Sequence, residues 1–140
     1  PMASEPKTRP TAMSLDACLA GLDEARREDA RQLAALMQSV TGEPPVVWGG
    51  NIVGFGQYAQ RYADGRRQPW PLLGFSPKGR ELSLYVMDGF TGRESLLARL
   101  GRHRIGKSCL YLRRLADASP QVLRELLEAS AAALEPQRIR

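Results

Sequence analysis

The chain reads as an α+β domain, an antiparallel sheet of about four or more strands with helices packed on it. Three observations predict this. Apolar residues recur at helical spacing near both ends, as Leu33, Leu36, Met37 and Val40, and again as Val122, Leu123, Leu126, Leu127 and Leu134. Between Val46 and Met87 the texture changes to alternation punctuated by glycine and proline. A further helix and a further strand then precede the last helix. The expected order is α-α-β-β-β-α-β-α.

The elements follow in turn. Ser14 can cap a short helix carrying Leu15, Cys18, Leu19 and Leu22. A longer helix starts near Asp23, and Gly42 with Pro44-Pro45 ends it. Its first turns, Asp23 to Asp29, mix both signs of charge, as a solvated face does. Asn51 to Tyr62 alternates, which places Val53 and Phe55 on one side and Ile52, Gly54, Gly56 and Tyr58 on the other. Two glycines on one side leave a bare patch, where a second backbone or a ligand could approach. After the Ala63–Arg66 turn, Trp70–Phe75 and Glu81–Met87 form a hairpin around Ser76-Pro77-Lys78-Gly79. Thr91-Gly92-Arg93-Glu94 spells a capping box ahead of Leu96, Leu97 and Leu100. Lys107–Arg113 alternates as a strand, and Ser119-Pro120 opens the last helix.

With 140 residues the chain is long enough for one self-sufficient core, expected over residues 14–135 behind a flexible tail at 1–13. A hydrophobic share of 43% and a charged share of 25% fit a globular protein. The net charge of +5 admits anionic partners, although the cations are dispersed. Cys18 and Cys109 lie in apolar company with no C-x-x-C, as buried thiols of a reducing compartment do. No apolar run reaches membrane-spanning length, so the expectation is a soluble cytoplasmic protein without membrane contact.

Gly101–Ser108 spells G-x-x-x-x-G-K-S, the phosphate-binding pattern of nucleotide hydrolases. That loop needs a strand before it and a helix after it, so that backbone amides converge on phosphate. Here a helix precedes and a strand follows. The segment is therefore expected to be a helix-to-strand turn. Gly54-Phe55-Gly56-Gln57-Tyr58-Ala59 imitates a dinucleotide fingerprint, but a strand and turn follow it instead of a helix. It also imitates an RNA-recognition strand, with Val53 where a basic residue belongs. His103 is the only histidine, and no pair of carboxylates is placed for acid–base work, so the reading leans away from an enzyme and calls for no cofactor or metal. Trp48, Asn51 and Tyr58 beside the glycine patch, with Lys107 and Tyr111 approaching from the last strand, are the ligand-binding candidates. Arg102 and Arg104, with Lys107 and Arg113 nearby, are the anion-binding candidates.

Several ordered blocks carry a family resemblance. They are Trp48–Gly56, Ala63–Arg66, Leu73–Pro77, Leu82–Met87 and Gly101–Tyr111. Together they resemble the YdhG-like bacterial family of small cytoplasmic proteins of unknown function, over roughly Ser14 to Ala133. The resemblance implies an α+β YdhG-like fold and makes the Gly101–Ser108 turn a family feature. It supplies no reaction. One frataxin-like branch of the family is regarded as an iron chaperone acting through an acidic first helix. Here the corresponding Asp16, Asp23, Glu24, Glu28 and Asp29 are interrupted by Arg26, Arg27 and Arg31. The leading expectation is a non-enzymatic small-ligand-binding or accessory domain, with a small ligand or a protein as partner. The alternatives are a frataxin-like iron chaperone and an RNA- or anion-binding module. A homo-oligomer is possible.

Overall fold

A computed structural model describes residues 8–140. Two helices come first among the described elements, α1 (Leu15–Leu19) and α2 (Glu24–Thr41). The Ser14 hydroxyl accepts from the Ala17 amide at 3.1 Å and the Asp23 carboxylate accepts from the Arg26 amide at 2.8 Å, so both begin on side-chain caps. Four strands follow, β1 (Pro45–Trp48), β2 (Ile52–Arg61), β3 (Arg67–Ser76) and β4 (Leu82–Tyr85). Then come α3 (Glu94–Leu100), the short β5 (Arg104–Ile105), β6 (Cys109–Leu112), α4 (Pro120–Leu134) and β7 (Arg138–Ile139). The α+β class holds. The order differs from expectation by the added strands β1, β5 and β7, each of four residues or fewer and so too short to show alternation.

The sheet runs β1-β2-β3-β4-β6-β5, antiparallel throughout, and β7 pairs with the second half of β2. Because β7 pairs Arg138 with Tyr58, the folded unit reaches beyond residue 135. At the other end, Pro10 bridges to Trp48 and the Thr11 amide donates to the Val47 carbonyl at 2.8 Å. Part of the segment expected as a tail therefore lies along β1, while residues 1–7 fall outside the described residues.

All four helices join one apolar cluster with Val53, Phe55, Leu73, Phe75, Leu82, Leu84, Leu110 and Leu112. They thus cover a single face of the sheet. Arg26 ties α2 to the β3–β4 turn by donating to the carbonyls of Pro77, Gly79 and Arg80 at 2.8, 3.1 and 2.9 Å. Cys18 is buried in this cluster and burial pushes its thiol up; Cys109 is free and half-buried. Among the described residues no helix is long and apolar enough to cross a membrane.

Two local expectations change. The α3 N-cap is Arg93, with no side-chain cap bond, and Glu94 accepts instead from the Gly92 amide at 3.3 Å. Gly92 turns the chain with φ 81, leaving Thr91 two positions outside the helix. In β2 and β3 the strict alternation ends near Gly56, whose φ is +66. Alternation from Leu73 would send Pro71 toward the helices, yet the Pro71 ring lies against Gly54 and Gly74. Past this point Tyr58 and Leu72 pack with Leu134 at the end of α4.

Candidate functional site

The glycine patch that the sequence leaves bare is filled. A Cβ placed on Gly54 would come within 2.7 Å of Trp48 Nε1 and 2.8 Å of Pro71 Cγ. Glycine is needed there because the indole and the proline ring rest on its backbone, not because a ligand does. Gly54→Ala should cost about 1–3 kcal/mol by overpacking, visible as a lowered Tm. An unchanged Tm would show that Trp48 can move aside.

The five ligand-binding candidates do not converge. Trp48 is 1% exposed and Tyr58 5% exposed, so both fill interior space. Asn51 occupies the β1–β2 turn with φ 64, a left-handed conformation that asparagine tolerates. Lys107 stands exposed on the β5–β6 turn and Tyr111 is half-buried on β6. Three strand spacings separate β2 from β6, about 14 Å at ~4.8 Å each. Tyr111 and Lys107 therefore belong to a different neighbourhood from Trp48 and Tyr58.

That neighbourhood is the face of the sheet that none of the described helices covers. Leu82, Leu84, Leu110 and Leu112 turn into the helical core, so by alternation Ser83, Tyr85, Cys109 and Tyr111 look the other way. Register places Ser83 opposite Tyr111, Tyr85 opposite Cys109 and Arg104 opposite Tyr111. The Arg104 guanidinium lies 4.0 Å from the centroid of the Tyr111 ring, a cation–π contact, and donates to Glu81 at 2.6 Å. Trp70 meets Tyr85 edge-on at 6.1 Å and Trp48 at 6.4 Å, which extends the aromatic band toward β1. The Trp70 Nε1 donor is buried without a partner among the described residues. Burial pushes the Tyr85 phenol up, and a hydrogen bond with Cys109 does the same for Tyr111. Both remain hydrogen-bond donors at neutral pH.

The anion-binding candidates border this face. Arg102 is exposed between α3 and β5, and Arg113 is exposed just past β6. Gly101–Ser108 forms the end of α3, β5 and the β5–β6 turn, closed by the Gly106 amide donating to the Cys109 carbonyl at 2.8 Å. His103 Nδ1 donates to the Gly101 carbonyl at 2.7 Å. A helix precedes and a strand follows, so no helix N-terminus faces a phosphate here.

Four of the five acidic candidates have structural partners, and Glu24 lies in the first turn of α2. Asp29, 5% exposed, accepts from Arg114 Nε at 2.8 Å and from the Leu115 amide at 3.0 Å. Asp23 caps α2, Asp16 pairs with Arg31 at 3.4 Å, and Glu28 accepts from Gln32 at 3.1 Å. Among the described residues no group of three or more His, Cys, Asp or Glu could hold a metal ion.

Sequence reasoning missed two clusters because their members lie far apart in the chain. Asp88 accepts from the buried Ser130 hydroxyl at 2.6 Å and pairs with Arg93 at 2.5 Å, joining the end of β4, the start of α3 and α4. Arg138 donates to the Thr41 carbonyl at 3.0 Å, to Glu43 at 3.1 Å and to Glu135 at 3.3 Å. No family model, curated protein or solved structure matches the chain.

Proposed function

We propose that this protein is a non-enzymatic binding domain of the YdhG-like family, and that it works through the helix-free face of its sheet. The observation that carries the reading is the band of half-buried rings, Tyr85 and Tyr111, edged by Arg104 and Lys107 on a face that no helix covers. Half-exposed rings offer stacking area and the flanking Lys107 attracts negative charge, so the matching ligand is small, planar and anionic, with nucleotide chemistry as the model case. The reading involves no covalent chemistry. It sets iron delivery aside, since Asp16, Asp23, Glu28 and Asp29 already serve capping and pairing.

The family reading rests on the resembling blocks themselves. They coincide with the β1–β2 hairpin, β3, β4 and the β5–β6 hairpin, and the Gly101–Ser108 block lies at a structural turn.

Amide chemical-shift mapping with cyclic adenosine monophosphate, a phosphodiester, tests the site. Shifts should concentrate on Ser83, Tyr85, Lys107 and Tyr111, and Tyr111→Ala should weaken binding about tenfold, in keeping with ~1–3 kcal/mol for a lost stack. Shifts scattered over the helices, or no saturable binding, would remove the proposal. An oligonucleotide that binds through the same amides, with affinity rising with length and falling steeply with salt, would favour the RNA-binding alternative.

A further inference from the structure

We propose that the cavity beneath the C-terminal strap binds a small phosphate monoester, its oxyanion held by Arg61, Arg67 and the Tyr58 hydroxyl. The cavity, about 800 Å³, is bounded by Tyr58 and Arg61 of β2, Arg67 of β3, Met87, Leu134 of α4 and Arg138 of β7. That is ample for a small organic molecule. It shares no residue with the helix-free face described above.

The charge arrangement points to an anion. Register sets Arg61 directly opposite Arg67 at the end of the β2–β3 hairpin. Like charges directly opposed across strands destabilise a sheet. Among the described residues neither side chain has an ion-pair or hydrogen-bond partner. No carboxylate lines the cavity. The nearby acids are committed elsewhere: Glu43 to Arg138, Glu135 to Arg138 and Arg140, and Asp88 to Arg93 and Ser130. Arg138 is consequently a neutralised wall, while Arg61 and Arg67 carry two unmatched charges. A phosphate monoester, with a charge of about −1.5 to −2 at neutral pH, matches that number.

Tyr58 supplies a further donor. Its side chain lines the cavity, and its hydroxyl, which keeps solvent contact there, has no hydrogen-bond partner among the described residues. Burial first, then the charges of Tyr62 and Asp88, holds the phenol above its ordinary range. It stays protonated and can donate to an oxyanion. Guanidinium groups bind phosphate oxygens in pairs, so the two arginines and the phenol together supply enough donors for a phosphate head. Met87 and Leu134 give the remaining wall an apolar surface, suited to the organic body of the ester.

Calorimetry and thermal denaturation of the full chain with butyl phosphate, a monoester without a ring to stack, and with inorganic phosphate, at ionic strength fixed by sodium chloride, test this. Butyl phosphate should bind with one-to-one stoichiometry, raise Tm saturably and bind more tightly than inorganic phosphate. Arg61→Gln and Arg67→Gln should each weaken it about tenfold, and Tyr58→Phe about fivefold. Arg31→Gln, on α2 and away from both proposed sites, should bind as the wild type does. Arg67→Glu should keep or raise Tm in the absence of phosphate, by replacing repulsion with attraction, and should abolish the phosphate-dependent rise. This separates loss of the site from loss of the fold. No saturable binding at millimolar ligand would overturn the proposal, as would undiminished binding to the Arg61→Gln/Arg67→Gln double variant. Equal affinity for inorganic phosphate would overturn the assignment of an organic phosphate.

Discussion

Replacing Gly101 by alanine is expected to cost about 3 kcal/mol or more, a fall of roughly 10 °C in Tm. Gly101 has φ +113, outside the range an L side chain readily adopts, and an added Cβ would overlap the Asp117 carbonyl oxygen. The crowding arises because the residues after α3 and those before α4 meet here. Gly101 bridges to Ala118, and the Ser119 amide donates to the Leu100 carbonyl at 2.7 Å. Gly106 provides the contrast. A Cβ there would meet only the Tyr111 ring, at an ordinary 3.5 Å, and Gly106→Ala should cost less than about 1 kcal/mol. In a phosphate-cradling loop both glycines would be constrained by the ligand. Differential scanning calorimetry on the two variants would decide, and a silent Gly101→Ala would sink the structural explanation.

The second large effect is expected at Asp29. Asp29→Ala removes the acceptor for Arg114 and for the Leu115 amide and should cost about 2 kcal/mol. The figure lies below that for a fully buried pair because the Arg114 side chain is about half exposed and can rehydrate. Burial pushes the Asp29 carboxyl up, but the Arg114 hydrogen bond, the Leu115 amide and the charges of Arg114 and Arg26 outweigh it, leaving a lowered pKa. A carboxylate depressed in the folded state stabilises the protein above its unfolded pKa of about 3.9, and that contribution is lost as pH falls through the folded value. The Tm difference between wild type and Asp29→Asn should accordingly be largest near neutrality and close below about pH 4. A difference that persists at acid pH would assign the effect to packing instead of charge.

Much of the scaffold was legible because its signals are local. Ser14, Asp23, Ser119-Pro120 and Gly42 set helix ends through their own backbone or through side chains three residues away. The Gly101–Ser108 turn was readable from the order of its flanking elements alone. What escaped was long-range or depended on a broken rhythm. The pairing of Arg138 with Tyr58 joins the end of the chain to its middle, and no periodicity announces a strand of two residues. The left-handed Gly56 interrupts the alternation, so extrapolating from Ile52 and Gly54 grouped Tyr58 with the wrong neighbours. In sequence, Trp48 and Tyr58 read as ligand contacts because aromatic residues beside glycine suggest open space. The Trp48 indole itself occupies that space. Tyr58 does border a cavity, but its companions there are Arg61, Arg67 and Arg138, the last two on neighbouring strands that pair with Arg61 and with Tyr58.

The layout of the sheet's margins bears on self-association. One margin ends in β5, two residues long and closed by a tight turn. At the other, Pro10 and Thr11 lie against β1, while β7 occupies the rest of the flank of β2. Neither side presents a long run of vacant backbone donors and acceptors on which a second chain could template, the route by which sheet proteins join edge to edge and aggregate. An assembly of this molecule, or of a partner upon it, is therefore directed to side-chain surfaces. There recognition depends on which rings and charges are displayed, and a poorly matched chain gains little from simply adding a strand.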